Sequence, residues 1–240
     1  MISKNELKYI QSLYHKKVRE ETGLFVAEGV KLTDELLNSD FTVKKVYATK
    51  EWKTPAGFDQ FQTIEQFELE KISNLSTPNQ VLALVEQKKL VNDPVEKNQI
   101  TLVLDGIQDP GNLGTIIRIA DWFGISQILA NEDTADLYNP KVVQSTMGSI
   151  KRVNVWYKNI EQWLSKATVP VYGALLNGAS VYETRKINEG ILIIGNESKG
   201  IRSDILPFVK HSITIPAKGN AESLNAAVAT GIILSHLLKV

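Results

Sequence analysis

Residues 213–238 read ITIPAKGNAESLNAAVATGIILSHLL, and the organisation of the chain can be worked out from this stretch. An apolar strand at 213–215 stops at Pro216, and a loop containing glycine leads to a helix that is predicted to restart near Ser223. That helix is apolar on almost every face, which predicts burial in a core or against a partner subunit. Ser223 and Asn225 either cap and pin the helix or line a ligand site beside its first turn.

The composition is typical of a globular protein. The 240 residues are 43% hydrophobic and 22% charged, with a formal net charge of zero, and they suffice for one large or two small domains. Any attraction to nucleic acid must therefore come from local patches. Cysteine is absent and only three histidines occur, which argues against disulfides and metal sites. The sequence shows neither a signal peptide nor a membrane-length apolar run, so a cytoplasmic location is expected.

Residues 1–90 are predicted to form a small α/β domain. The expected strands lie at 23–29, 43–48 and 81–85, and the expected helices at 3–19, 30–37 and 64–72. The first helix has a basic face made by Lys8, Lys16, Lys17 and Arg19. Such a face either contacts phosphates or is simply solvated. Residues 91–99 are polar and lack periodicity, which predicts a linker.

Residues 100–240 alternate short apolar strands with helices, which predicts a parallel sheet covered on both faces. The strands are expected at 100–104, 127–130, 169–175, 190–194 and 213–215, and helices at 112–123 and 140–147. Ligands of such sheets bind beyond the carboxyl ends of the strands. The loops at 105–118, 195–200 and 216–225 are therefore expected to build one site.

Polar residues in these loops are the site candidates. Asn112 is expected to cap the helix that follows the first strand. Arg118 lies among isoleucines, where a guanidinium needs a carboxylate partner or an anionic ligand such as phosphate. Glu197 is expected to accept hydrogen bonds from a ligand or to pair with Arg118. The first loop matches neither G-x-G-x-x-G nor a P-loop, which disfavours an NAD-binding enzyme.

Three ordered motifs resemble those of the SpoU (TrmH-type) branch of the SPOUT RNA methyltransferases. They are N-x-G-x-x-x-R at 112–118, G-x-E-x-x-G at 195–200, and I-P-x-x-G followed by S-L-N at 215–225. The pattern F-x-x-E-G at 25–29 is similar to the ribosomal-protein-like substrate-binding domain of many members. Ala226 and Ala227 depart from the family, whose members often have valine and serine there.

The resemblance implies a parallel-sheet α/β domain with a C-terminal trefoil knot, two such subunits in a homodimer, and no metal. It implies methyl transfer from S-adenosyl-L-methionine to a ribose 2′-hydroxyl of RNA, with ribosomal RNA as the expected substrate. A tRNA methyltransferase and a non-catalytic RNA-binding protein are the alternatives. Carried over residue by residue, the catalytic candidates are Asn112, Arg118, Glu197, Ser223 and Asn225, and the cofactor-binding candidates are Leu175, Gly195, Ile215 and Leu224. Arg118 would act either as a base or as a clamp that stabilises negative charge.

Overall fold

A computed structural model describes residues 1–55, 58–94 and 97–238. The chain forms two compact units: unit 1 is Met1–Lys89 with Asp136–Lys151, and unit 2 is Leu90–Ala135 with Arg152–Val240. The segment Asp136–Lys151 thus packs with the N-terminal residues, although it lies within the stretch 100–240 by sequence. Residues 95 and 96 of the expected linker, and the last two residues of the expected C-terminal domain, lie outside the described residues.

The elements follow in chain order. The helices are α1 (Lys4–Ser12), α2 (Lys16–Thr22), α3 (Val30–Leu37), α4 (Gln66–Ile72), α5 (Pro110–Trp122), α6 (Pro140–Ser145), α7 (Ile160–Leu164) and α8 (Ala226–Leu237). The strands are β1 (Leu24–Glu28), β2 (Val43–Ala48), β3 (Gln62–Thr63), β4 (Val81–Glu86), β5 (Ile100–Asp105), β6 (Gln127–Ala130), β7 (Asn154–Tyr157), β8 (Val171–Ser180), β9 (Gly190–Gly195) and β10 (His211–Thr214).

Unit 1 contains a four-stranded sheet with the order β1-β4-β2-β3. Strand β4 is antiparallel to β1 and β2, while β3 is parallel to β2. The core includes Ile10 and Leu13 from the N-terminal segment, Tyr47 from β2 and Leu69 from α4. The single helix expected at 3–19 is two helices, because the first helix ends at Ser12 and the fully buried Leu13 packs into the core before the second begins at Lys16.

Unit 2 contains a six-stranded parallel sheet with the order β10-β8-β9-β5-β6-β7. The prediction of a parallel α/β domain is confirmed. Its core is made mainly of branched aliphatic side chains from adjacent strands, among them Val103, Leu129 and Ile193. The edge strand β7 and the short helix α7 were not predicted, and β7 has only four residues with mixed burial.

The strand order explains where a site can form. Strands β5 and β9 are neighbours, with Asp105 opposite Gly195 in the register, so the loops after them leave the sheet side by side. The pairing of β8 with β10 jumps between Ser212 and Ile213, which leaves residues 174–178 outside the ladder at the same edge. Three irregular segments therefore meet at the carboxyl ends of the strands, where ligands of open parallel sheets bind.

Candidate active site

A cavity of about 730 Å³ opens at the carboxyl edge of the parallel sheet in unit 2. Its walls are residues 174–177, 194–201 and 213–224, together with the inward side of α8. Most of the lining side chains are aliphatic, and the loops add polar groups at the rim. The volume suits a nucleoside-sized ligand, because small-molecule pockets measure about 300–1,000 Å³.

The four residues expected to bind a cofactor, Leu175, Gly195, Ile215 and Leu224, all line this cavity. Gly195 is required by a close approach of two main-chain segments: a β-carbon there would lie 2.3 Å from the carbonyl carbon of Gly200. The two ends of the loop at 195–200 therefore pack main chain against main chain, which a side chain at position 195 would prevent.

Asn112 lies on the first turn of α5, but it does not cap the helix as expected. The cap is Asp109, whose carboxylate accepts the Asn112 backbone N–H at 2.8 Å. Pro110 follows at a position where its missing N–H costs nothing. Since Asp109 takes the capping role, the amide side chain of Asn112 remains available for other contacts.

That amide is the centre of a hydrogen-bonded chain that joins the three motifs. The Asn112 side-chain N–H donates to Glu197 Oε1 in the loop after β9. The Asn112 oxygen accepts a hydrogen bond of 2.8 Å from Asn225 Nδ2. Asn225, Asn112 and Glu197 therefore form one cluster, although Asn112 lies 85 residues from Glu197 and 113 residues from Asn225 in sequence.

The start of α8 differs from expectation. The helix begins at Ala226, not near Ser223, and its N-cap is Asn225, whose side-chain oxygen accepts the backbone N–H groups of Ala227 and Val228. Asn225 is exposed and not a buried amide. Ser223 is exposed on the cavity wall, and its hydroxyl has no hydrogen bond among the described residues.

Arg118 is exposed on α5 and makes no hydrogen bond or ion pair with any residue that the structure describes. The expected pairing with Glu197 is wrong for this chain, since Glu197 bonds to Asn112 instead. Six residues separate Asn112 from Arg118, so their side chains point about 120° apart around the helix axis. Arg118 therefore does not join the cluster of its own subunit.

A second polar group at this edge was not predicted. Asp105, at the end of β5, is 1% exposed and pairs with Arg202 just beyond the loop after β9. Burial raises the pKa of the Asp105 carboxyl, and Arg202 acts in the opposite direction. A carboxylate that directly follows an apolar strand was the available signal.

The four basic residues of unit 1 that were predicted to contact RNA fall into three groups. Lys8 is exposed on α1. Lys16 and Lys17 are exposed on α2 and lie 3.6 and 3.9 Å from Glu20 and Glu21. Arg19 is 2% exposed and pairs with Asp136 at 2.6 Å. The expectation that Arg19 contacts RNA is therefore wrong, because its guanidinium is buried and already occupied.

Within residues 1–55, 58–94 and 97–238, no cluster of histidine and acidic side chains is arranged to hold a metal ion. None of the helices in these ranges has the length and apolar character needed to cross a membrane.

Fold and site together define an α/β domain that binds a small molecule beyond the ends of parallel strands and presents an amide–carboxylate cluster in the same region. The SpoU rRNA Methylase family model matches residues 99–235, and the MRM3-like substrate binding domain model matches residues 4–83. The chain therefore belongs to the SpoU rRNA methylase family.

Individual relatives agree with this assignment. The 23S rRNA (guanosine(2553)-2′-O)-methyltransferase RlmP of Bacillus subtilis is 32% identical, over 95% of this chain and 93% of the relative. An AdoMet-bound rRNA methyltransferase structure from Sinorhizobium meliloti is 30% identical with a TM-score of 0.86, covering 99% of this chain and 96% of that one. The SpoU methyltransferase AviRb from Streptomyces viridochromogenes has a TM-score of 0.84 at 23% identity, over 98% and 97% of the two chains, which supports the fold alone.

Proposed function

We propose that the protein transfers a methyl group from S-adenosyl-L-methionine to a ribose 2′-hydroxyl of ribosomal RNA. The observation that carries the proposal is the hydrogen-bonded chain from Asn225 through Asn112 to Glu197, which joins all three motifs at the carboxyl edge of the sheet. Ribosomal RNA is the favoured substrate because the RlmP relative, similar over nearly its whole length, is named for 23S rRNA.

The cavity fits the cofactor. Its volume suits a nucleoside, its aliphatic wall includes Leu175, Ile215 and Leu224, and the loop that begins at Gly195 adds main-chain groups to the wall. These four residues would hold the cofactor, largely through main-chain groups and apolar contact. When bound, S-adenosyl-L-methionine supplies an activated methyl group.

Arg118 stabilises the negative charge that develops on the ribose oxygen. A guanidinium is always protonated in proteins, which disfavours Arg118 as the base and favours the role of an electrostatic clamp on the oxygen or on the neighbouring phosphate. Its exposure and its lack of a partner among the described residues leave it available to such an anion.

The remaining catalytic residues position the reacting groups. Asn112 and Asn225 are neutral amides that hold the loops after β5 and β10 together, and Glu197 fixes the loop after β9 through Asn112. Ser223, whose hydroxyl makes no hydrogen bond to any residue that the structure describes, lies on the cavity wall and serves to orient the ribose.

RNA is held by unit 1, whose family model is a substrate-binding domain. Lys8, Lys16 and Lys17 are exposed there and suited to phosphates, which fix position without reading sequence. The 2′-hydroxyl that reacts also distinguishes RNA from DNA. Modification of ribosomal RNA is consistent with a cytoplasmic location.

The active assembly is a homodimer in which Arg118 serves the site of the partner subunit. Two observations support the dimer. Arg118 points away from the cluster of its own chain. Apolar side chains also remain exposed on α5 and α8, which pack against each other: Trp122 of α5 is 85% exposed and Val228 of α8 is 51% exposed. The C-terminal trefoil knot implied by the family belongs to the same proposal. Light scattering that found a monomer at micromolar concentration would contradict the dimer.

The test of function is methyl transfer from labelled S-adenosyl-L-methionine to ribosomal RNA, compared with tRNA. We expect label on ribose 2′-oxygens of ribosomal RNA, and a loss of about 1,000-fold in the Arg118→Ala variant because an electrostatic stabiliser of the transition state is removed. Arg185→Ala removes another exposed arginine of unit 2 and is expected to retain full activity.

The outcomes separate the alternatives. Label on tRNA alone would overturn the assignment to ribosomal RNA. Binding of RNA without cofactor binding, measured by calorimetry, would identify a non-catalytic RNA-binding protein. Equal activity of Arg118→Ala and the wild type would refute the role of Arg118.

A further inference from the structure

The carboxylate of Asp105 holds the C-terminal side of the loop after β9. Asp105 Oδ2 accepts the backbone N–H of Arg202 at 2.8 Å. Oδ1 accepts the Arg202 Nε–H at 2.8 Å and the Asn131 side-chain N–H at 3.2 Å. Three donors therefore converge on one carboxylate that is 1% exposed.

The next residue, Gly106, holds the N-terminal side of the same loop. Its carbonyl oxygen accepts the Asn196 side-chain N–H at 2.7 Å, and its N–H donates to Asn131 Oδ1 at 2.9 Å. Asn196 and Gly200 close the loop with two backbone hydrogen bonds of 3.1 and 2.9 Å. Gly106 has φ +77°, which favours glycine at this turn.

Hydrogen bonds to Asp105 and Gly106 thus fix both ends of residues 196–202. That loop forms one wall of the cavity and contains Glu197, which reaches Asn112. A shift of this loop would therefore change the cavity wall and the cluster together.

We infer that Asp105 is a positioning residue for methyl transfer, because it fixes the loop at 196–202 at both ends. It holds one end through Arg202. It holds the other end through Asn131, which bonds to Gly106, whose carbonyl oxygen accepts the Asn196 side chain. This rests on the proposed function. A role of the ion pair in stability alone would not explain the arrangement, because the Arg202 side chain is 41% exposed and ion pairs that reach solvent add little stability. Three of the side-chain bonds described here, those of Asp105, Asn196 and Asn131, run to loop or turn backbone and so define main-chain geometry.

The test compares Asp105→Asn with Asp204→Asn. Asp204 lies 4.0 Å from the same Arg202 Nε, but its side chain is 53% exposed, so this control makes the same charge change beside the same arginine. Amide hydrogen exchange of residues 196–202 is measured without substrate. Calorimetry gives the affinity for S-adenosyl-L-methionine, and steady-state kinetics give kcat and the KM for RNA.

We expect Asp105→Asn to speed exchange in residues 196–202 while β5 and β9 keep the wild-type rates. The affinity for S-adenosyl-L-methionine should fall about tenfold, because binding must now order the loop. The value of kcat should fall about 100-fold through misplacement of the reacting groups, with the KM for RNA unchanged. Asp204→Asn should match the wild type in every measurement.

Three results would overturn the inference: wild-type loop exchange in Asp105→Asn, equal behaviour of the two variants, or faster exchange throughout unit 2, which would indicate a structural role alone. If Asp105→Asn does not fold, Arg202→Ala replaces it, since that side chain is 41% exposed. This variant keeps the backbone bond and should lose about tenfold in kcat; behaviour equal to that of Asp204→Asn would again overturn the inference. Absence of methyl transfer by the wild type would instead refute the proposed function. The hydrogen-exchange measurement can be made without that activity, so the two failures are distinguishable.

Discussion

Two arginines show how differently the two units use charge. Arg19, in unit 1, is 2% exposed and donates to the carbonyl oxygens of Leu13 and Tyr14 at 3.0 and 2.8 Å while it pairs with Asp136. Arg118, in unit 2, is exposed and has no partner among the described residues. Both are basic residues within helices, and for both the sequence leaves contact with an anionic ligand as one of two alternatives.

Two glutamates repeat the contrast. Glu28 in unit 1 is 6% exposed and accepts hydrogen bonds from the Tyr14 hydroxyl, the Ser73 hydroxyl and the Asn74 backbone N–H. Glu197 in unit 2 is half-buried, and among the described residues its carboxylate accepts a hydrogen bond from Asn112. A buried carboxylate with several hydrogen-bond donors stabilises the fold, whereas a carboxylate beside a cavity that can accept further hydrogen bonds is available to a ligand.

After Arg118→Ala, the largest expected effect comes from breaking the cluster of unit 2 with Asn112→Asp. The new carboxylate cannot donate to Glu197 and repels it, so we expect methyl transfer to slow by about 100-fold or more. The melting temperature should stay close to that of the wild type, because the cluster is only partly buried. Single-turnover kinetics and thermal unfolding measure the two quantities.

Asn188→Asp provides the control, since Asn188 is an exposed asparagine of unit 2.

Mixing two inactive variants tests whether Arg118 and Asn112 of one site come from different chains. Co-expression of Arg118→Ala and Asn112→Asp chains should restore about a quarter of the wild-type rate, because half of randomly paired dimers are mixed and each of these has one intact site. No recovery would show that each site takes both residues from one chain.

The next largest effect is expected in unit 1, where Arg19→Met should lower the free energy of unfolding by about 3 kcal/mol, because Asp136 and two carbonyl oxygens lose a buried partner. Hydrogen exchange in β1 and β4 measures this loss. At a temperature where the variant is folded, its affinity for RNA should equal that of the wild type, and a weaker affinity would reinstate Arg19 as an RNA contact. Lys8→Ala is the control, with wild-type stability and weaker RNA binding.

The parallel sheet and the three loops could be predicted because their signals are local. Apolar runs mark β5, β6 and β9, and each motif lies within a few residues of a strand end. For the same reason Leu175, Gly195, Ile215 and Leu224 line one cavity, and their binding of the cofactor stays a prediction.

Partnerships between distant residues could not be predicted from the sequence. Asp109 and Asn112 are both favoured N-cap types, and only the packed structure decides that Asp109 caps while Asn112 reaches Asn225. The burial of Arg19 depends on Asp136, which lies 117 residues away. The contacts of Asp105 depend on Arg202, which lies 97 residues away.

The smallest expected effect is a pH dependence in unit 1. The Lys45 ammonium, followed by the Tyr47 hydroxyl, holds the pKa of Glu6 below its ordinary value of 4.5. A lowered folded-state pKa stabilises the fold above the unfolded-state pKa, and this contribution is lost as the pH falls through the folded-state value. Glu6→Gln should therefore lower the free energy of unfolding by about 1 kcal/mol near pH 7, a modest value because the Lys45 side chain is 42% exposed.

Urea unfolding measured at decreasing pH should show the difference in unfolding free energy between wild type and Glu6→Gln disappear below pH 4.5. Glu20→Gln, which alters a surface pair on α2, should match the wild type at every pH. A gap that stayed constant in acid would mean that Glu6 acts through packing and not through its charge, and would remove it from the group of charges that hold unit 1 together.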